Sequence, residues 1–179
     1  MHTSWQKMSS QKEEVILVNS ANEVIGSADK FLAHQGKGML HRAITVVLFN
    51  PQQQVLVTQR SAQKPLWPLW WDTACSTHQW PGESDVEAAI RRLPFEIGIT
   101  TTDLQASHQY EYHAVYNEEW SENEINHIVV GTVQQDPVLN PDEVAQFAWK
   151  SLEEIRAELQ NPNHQYAPWF EAALQPWFK

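Results

Sequence analysis

Residues Gly82 to Ile99 read GESDVEAAIRRLPFEIGI, and they hold the most sharply specified element of the chain. Ser84 is a good helix N-cap, because its hydroxyl can accept an otherwise unpaired amide of the first turn. Val86, Ala89, Ile90, Leu93 and Ile97 then recur at helical spacing and predict one apolar face. Gly98 suits a left-handed C-cap. Pro94 stands inside this helix; without an N–H it is expected to remove one hydrogen bond, bend the last turn and displace Glu96.

Outward from that helix the pattern changes to strands. On the N-terminal side, Glu14 to Val18 (EVILV) reads as a strand, Ser20 to Glu23 as a turn, and Asp29 to Ala33 as a short helical segment leading into the loop HQGKGML. Ala43 to Phe49 (AITVVLF) is a buried-strand candidate, and NPQQQ turns it into Val55 to Gln59, completing a hairpin. On the C-terminal side, Gln109 to Val115 and Ile125 to Val133 read as strands around the acidic segment NEEWSENE, followed by a strand from Ala145 to Lys150. Ser151 and Glu154 form a capping-box pattern for a helix from Leu152 to Leu159, and a Trp-rich helix is expected from about Pro168 to the end. Strands and helices in this mixed order imply an α/β or α+β sandwich rather than a bundle.

The 179 residues fit a single domain, 1–179, and no apolar run approaches the ~20 residues of a membrane span. The opening MHTSWQKMSSQKEE has no apolar core, so no signal peptide is expected. A lone cysteine, Cys75, excludes an internal disulfide and is compatible with the cytoplasm. Twelve basic against 22 acidic residues give a net charge of −10, which disfavours nucleic-acid binding. Neither a nucleic acid nor a membrane is therefore expected as a partner, and the chain is expected to be a monomer or weak dimer. The nine tryptophans serve packing or line an aromatic pocket for an apolar or cationic ligand.

Two polar groupings carry chemistry. His34, His41 and His78, with Glu122 and Glu124 two apart at a strand start, could offer imidazoles and carboxylates to one centre, since alternate strand residues share a face. Such a mixed nitrogen and oxygen set suits Mn²⁺ or Zn²⁺ better than Mg²⁺. On spacing alone the pattern is weak, since scattered His and Glu are usually surface residues. Lys30, Arg60, Lys64 and Arg92 are the second grouping, and their convergence would make an anion pocket suited to diphosphate oxygens.

The stretch from Gly82 to Ile99 resembles the Nudix box, the loop–helix–loop that holds Mg²⁺ against a diphosphate. Glu83, Arg91, Glu96, Gly98 and Ile99 match; Thr77 replaces the opening glycine, and Arg92 and Phe95 replace two glutamates. Together with KGMLHRAITVVLFN, Trp67-Pro68, Cys-Ser-Thr-His, ENE and Ala167-Pro168-Trp169, this degenerate box resembles the type 1 isopentenyl-diphosphate isomerases from about Val15 to Trp169. The resemblance implies a Nudix-type α/β/α sandwich with a mixed sheet. It implies Mn²⁺ or Zn²⁺ on His34, His41, His78, Glu122 and Glu124, and a Glu96-bound Mg²⁺ that escorts the diphosphate. It also implies Lys30, Arg60, Lys64 and Arg92 on a prenyl diphosphate, Tyr112 beside the acid Glu124, and Trp169 facing a developing carbocation.

The family places a cysteine two residues before the third histidine, and here that residue is Ser76. Cys75 would serve only if the loop shifted by one. Glu124 with Ser76, or with a shifted Cys75, is thus the expected catalytic set, with activity weakened by a hydroxyl in place of a thiol. In an extended segment Cys75 points away from Ser76, as a small buried hydrophobe would. The alternatives are proton-initiated chemistry on another prenyl diphosphate, hydrolysis of a prenyl or nucleoside diphosphate, and binding of a prenyl diphosphate without turnover.

Overall fold

In a computed structural model the described residues are 13–179. The expectation of no signal peptide falls on the opening segment, of which residues 1–12 lie outside the described part. Strands β1 (Glu14–Val18) and β2 (Val24–Asp29) form an antiparallel hairpin. Asp29 then caps α1 (Lys30–Ala33), its Oδ1 accepting the amides of Phe31 and Leu32. The chain continues through β3 (His41–Phe49), β4 (Val55–Arg60) and the two short strands β5 (Trp71–Asp72) and β6 (Cys75–Thr77). Helix α2 (Asp85–Ile97) is the one read from Gly82 to Ile99, with Ser84 and Glu87 forming a reciprocal capping box. Next come β7 (Leu104–Val115), β8 (Ser121–Thr132), β9 (Val144–Lys150), α3 (Leu152–Leu159) and α4 (Phe170–Leu174).

β3 is the hub of the sheet. It runs parallel to β8, from His41 opposite Glu124 to Phe49 opposite Thr132, and antiparallel to β1, β4 and β6. β7 pairs with the far side of β8, and β4 carries β5 and β9. One parallel pairing among antiparallel ones makes the sheet mixed, as expected. Because strand residues alternate between faces, β3 serves both layers. Ile44, Val46 and Leu48 pack with Ala88, Ala89, Leu93 and Ile97 of α2. Val47 and Phe49 pack on the other face with Ile155 of α3 and Phe170, Ala173 and Leu174 of α4. This is the α/β/α sandwich.

Pro94 does not end the helix. It lies exposed, so its missing N–H falls on the wet side, and α2 continues to Ile97 with the Gly98 amide bonded to the Pro94 carbonyl at 3.2 Å. Glu96 stays buried at 3% exposure. The C-terminal helix is also shorter than expected: α4 ends at Leu174 and becomes a 3-10 turn, Gln175–Trp177, at Pro176. β2 was not foreseen, since VIGSAD is exposed along nearly its whole length and shows no apolar alternation. β7 begins at Leu104 rather than Gln109, across a bulge between Ala106 and Gln109. β8 begins at Ser121, which draws the second half of the acidic segment into the sheet.

Candidate active site

The loop between α1 and β3 is stitched to the start of β8. The Gly36 amide donates to the Glu119 carbonyl at 2.8 Å, the Ser121 amide to the His34 carbonyl at 3.0 Å, and the Asn123 side chain to the Gly38 carbonyl at 3.1 Å. Gly38 has φ 73° and passes so close that a Cβ there would sit 3.0 Å from the Asn123 Cβ. That close approach brings His34 and His41 against the β8 face carrying Glu122, Glu124 and Asn126. His78 arrives from the end of β6, where Arg91 of α2 donates to its carbonyl at 3.0 Å while gripping Glu83 through two bonds of 2.7 Å. The box residues Glu83 and Arg91 therefore act here as a clamp on the third histidine.

His34, His41, His78, Glu122 and Glu124 each direct one donor atom to a common point, all within 4.8 Å of one another. His34 Nδ1 donates to the Lys30 carbonyl at 2.6 Å and His41 Nδ1 to the Met39 carbonyl at 2.7 Å, which leaves both Nε2 lone pairs facing inward. His34 Nε2 lies 2.8 Å from Glu122, and the Nε2 atoms of His41 and His78 lie 3.4 and 3.0 Å from Glu124. His41 Nε2 is buried and makes no hydrogen bond. An inward orphan imidazole nitrogen beside paired carboxylates fits a divalent cation.

Within the cluster the imidazoles and carboxylates shift one another. Burial pulls the His34 pKa down, but the Glu122 and Glu124 carboxylates more than reverse this and hold it above the ordinary value. Burial, Lys30 and the other two imidazoles together hold the His78 pKa well below the ordinary value. Burial would raise Glu124, yet the neighbouring His41 imidazole and the hydrogen bond from Tyr112 keep it below the usual carboxylate range. Tyr112 stands opposite Glu124 in the β7–β8 register and donates its hydroxyl to Glu124 Oε2; burial and that carboxylate push its own pKa well up.

The cluster opens into a cavity of about 560 Å³. Lys30, Arg60, Lys64 and Arg92 all line it, as do Ser76, Tyr112 and Trp169. Each cation holds a carboxylate: Lys30 with Glu13 at 2.9 Å, Arg60 with Asp72 at 3.2 Å, Lys64 with Glu143, and Arg92 with Glu96 at 2.6 Å. Burial would raise Glu96, but Lys64 and Arg92 bring it down to about 2. Trp169 is 3% exposed and packs edge-on against Trp67, ring centres 5.4 Å apart.

β6 resolves the choice between Cys75 and Ser76. It pairs Ser76 with Thr45 and Cys75 with Val46, so the two side chains take opposite faces. Ser76 lines the cavity. Cys75 enters the α2-side core among Ala88, Ala89 and Leu93, where burial and the nearby Glu96 raise its pKa well above that of a free thiol. The suggestion of Cys75 as a shifted catalytic thiol is corrected accordingly: a one-residue slip would drive the whole strand onto the wrong face.

All the other anticipated residues converge on this region, with Glu96 directly behind Arg92 and Lys64. Sequence reasoning missed Thr45, Asn126, Asp72 and Glu143, which also belong to it. Thr45 and Asn126 extend the alternation of His41 and of Glu122–Glu124 along their strands, a signal that was readable. Asp72 and Glu143 come from a two-residue strand and a loop, with no periodicity to mark them.

On the α2 face toward the cavity stand Arg92 and Phe95, rather than a run of carboxylates. Residues 39–170 match the NUDIX domain family, so the fold and the modified box define a Nudix-domain protein. The chain is 36% identical over 163 residues to isopentenyl-diphosphate Delta-isomerase 1 of Aromatoleum aromaticum, covering 91% of each chain. It is 36% identical over 162 residues to the isopentenyl-diphosphate Delta-isomerase of Nocardia farcinica, covering 90% of this chain and 92% of that one. Among solved structures it resembles the Deinococcus radiodurans protein DR0079 in fold, with a TM-score of 0.70 at 19% identity over 91% of this chain and 96% of that one. The chain belongs to the isopentenyl-diphosphate Delta-isomerase family of Nudix proteins.

Proposed function

We propose that this protein interconverts isopentenyl diphosphate and dimethylallyl diphosphate as a single-domain cytoplasmic enzyme, monomeric or weakly dimeric, without a nucleic-acid or membrane partner. The observation that carries the reading is one cavity lined both by His34, His78, Glu122 and Glu124 of the cluster and by Lys30, Arg60, Lys64 and Arg92, with Trp169 in its wall. No helix among the described residues is long and apolar enough to cross a membrane.

On this reading the diphosphate exchanges places with carboxylates on Lys64 and Arg92, and Lys30 and Arg60 complete the grip. Mn²⁺ or Zn²⁺ held by His34, His41, His78, Glu122 and Glu124, and Mg²⁺ held with the diphosphate by Glu96, would supply fixed positive charge for the carboxylates and the diphosphate oxygens. The Glu124–Tyr112 pair delivers a proton to the terminal carbon of the double bond. The ring face of Trp169 stabilises the cation that forms at the branched carbon. A proton then leaves the inner carbon toward Ser76. Two separate proton-handling groups are what a shift of a double bond demands.

The test is one NMR time course with isopentenyl diphosphate, Mn²⁺ and Mg²⁺ in D₂O. Deuterated dimethylallyl diphosphate is the expected product. Release of phosphate would instead establish hydrolysis, for which the cavity face of α2 lacks the carboxylates. Unchanged spectra would refute turnover of this substrate.

A further inference from the structure

Asp72 is a buried carboxylate, 2% exposed, directly behind the cavity-lining Ser76, Trp169 and Arg60, for which the reaction as described has no use. Its Oδ1 accepts from Ser76 Oγ at 3.0 Å, from Trp169 Nε1 at 2.9 Å and from the Thr73 amide at 2.8 Å, while Oδ2 faces Arg60 at 3.2 Å. Ser76 is the donor in its bond to Asp72, so its proton points at that carboxylate. Asn126 donates to Thr45 Oγ1 at 3.0 Å, which turns the Thr45 hydroxyl toward Ser76 Oγ, 3.1 Å away. The bonds thus run in one direction, from Asn126 through Thr45 and Ser76 to Asp72. What remains of Ser76 Oγ is shared only with the longer Trp169 contact at 3.2 Å.

This arrangement deepens the isomerase reading and rests on it. We propose that Asp72 is the proton acceptor behind Ser76, so that a Ser76–Asp72 relay performs the transfer for which the family resemblance implies a thiol. The C–H bond at the inner carbon breaks, and its electron pair forms the new double bond and discharges the cation at the branched carbon. That proton passes to Ser76 Oγ as the hydroxyl's own proton passes to Asp72 Oδ1. In the reverse direction Asp72 returns it, and no further reactant is consumed. A hydrogen beside a tertiary cation is acidic enough for an oxygen base to remove. Asp72 acts through Ser76 and is therefore a positioning residue, not a group in contact with substrate.

Asp72→Asn tests this in D₂O with isopentenyl diphosphate, Mn²⁺ and Mg²⁺. The amide keeps an acceptor for Ser76 and Trp169 but cannot take up the proton. Deuterium entering the terminal carbon of recovered substrate reports the Glu124 side; dimethylallyl diphosphate reports the Ser76 side. Terminal exchange is expected to stay within about threefold while product formation falls about 100-fold or more. The double variant Asp72→Asn with Ser76→Cys is expected to regain product formation, because a thiol ionises without a carboxylate behind it. Equal loss of both readouts with no rescue by cysteine would assign Asp72 to anchoring Arg60 and Trp169 and overturn the relay. Product formation within threefold of the parent would overturn it too. Should Asp72→Asn not fold, Ser76→Ala cuts the same relay and must show the same split. A parent protein that binds Mn²⁺ yet neither exchanges nor isomerises would refute the isomerase reading itself, and the relay with it.

Discussion

Replacing Glu96 by Gln tests whether the anion site is held together by its own carboxylates before any ligand arrives. Glu96 is 3% exposed; it pairs with Arg92 through contacts of 3.0 and 2.6 Å and stands 4.0 Å from Lys64. Its pKa falls from 4.5 to about 2 because those cations outweigh burial. At 1.36 kcal/mol per pH unit the drop corresponds to about 3 kcal/mol, in the range expected when one partner of a buried ion pair is removed. A depressed carboxylate stabilises the fold above its unfolded pKa and loses that stabilisation as pH falls toward its folded value. The variant is therefore expected to melt about 6–12 °C lower at pH 7 in EDTA, given ~2–4 °C per kcal/mol at this chain length. The gap should narrow below pH 4.5 and close near pH 2. Inorganic pyrophosphate should recover more of the loss in the variant than it adds to the parent, since Arg92 then lacks the nearer of its two carboxylates. A gap that stays constant between pH 6 and pH 3 would refute the assignment of this energy to the ionised Glu96.

Cys75→Ala is expected to cost about 1 kcal/mol in urea unfolding and to leave turnover within twofold, with iodoacetamide failing to label the native parent, because the thiol lies in the α2-side core. Gly38→Ala places a Cβ 3.0 Å from Asn123 at φ 73° and should loosen the loop that presents His34 and His41. Its Mn²⁺ affinity by titration calorimetry should fall about tenfold, and an unchanged affinity would show the loop to be irrelevant to the cluster. Trp169→Phe keeps a ring but removes the indole bond to Asp72 at 2.9 Å; kcat should fall about tenfold with KM nearly constant, whereas a rise in KM alone would assign Trp169 to ground-state binding.

The fold was legible where a period had room to develop. Helix α2 declared itself through Ser84, its apolar spacing and Gly98, and the Gly98 φ of 65° with Val138 O only 2.8 Å from a Cβ position explains why no larger residue stands there. β3 was readable because both its faces are buried and it is a nearly unbroken apolar run from Ala43, and β4 because buried Val55, Leu56 and Val57 follow the NPQQQ turn. β5 and β6 span two and three residues, too few for any alternation to register, yet they supply Asp72 and Ser76. The metal cluster was legible only as residue types. Its convergence depends on the Gly38 approach and on the parallel register that sets His41 beside Glu124, and neither leaves a mark on local sequence. Glu143 shows the same limit: its place beside Lys64 and Arg92 depends on a loop tied to α2, through the Asn140 amide on the Glu96 carbonyl at 2.9 Å.

The pairing of each cavity cation with a carboxylate bears on how a chain of net charge −10 can take up a diphosphate at all. Lys64 and Arg92 share Glu143 as well as Glu96, so the free site is already close to neutral rather than a basic well. An incoming diphosphate must displace Glu143 or add its charge to two carboxylates beside it, and like charges at such range repel strongly in a buried setting. On the proposed reading, Glu96 would hold a divalent cation that arrives with the diphosphate, and the charge of that cation would offset the repulsion. The same neutral resting state explains why the site can remain preformed and buried without ligand. Four unpaired cations in that cavity would cost far more than paired ones, and the fold could not hold them close enough to wait for a substrate.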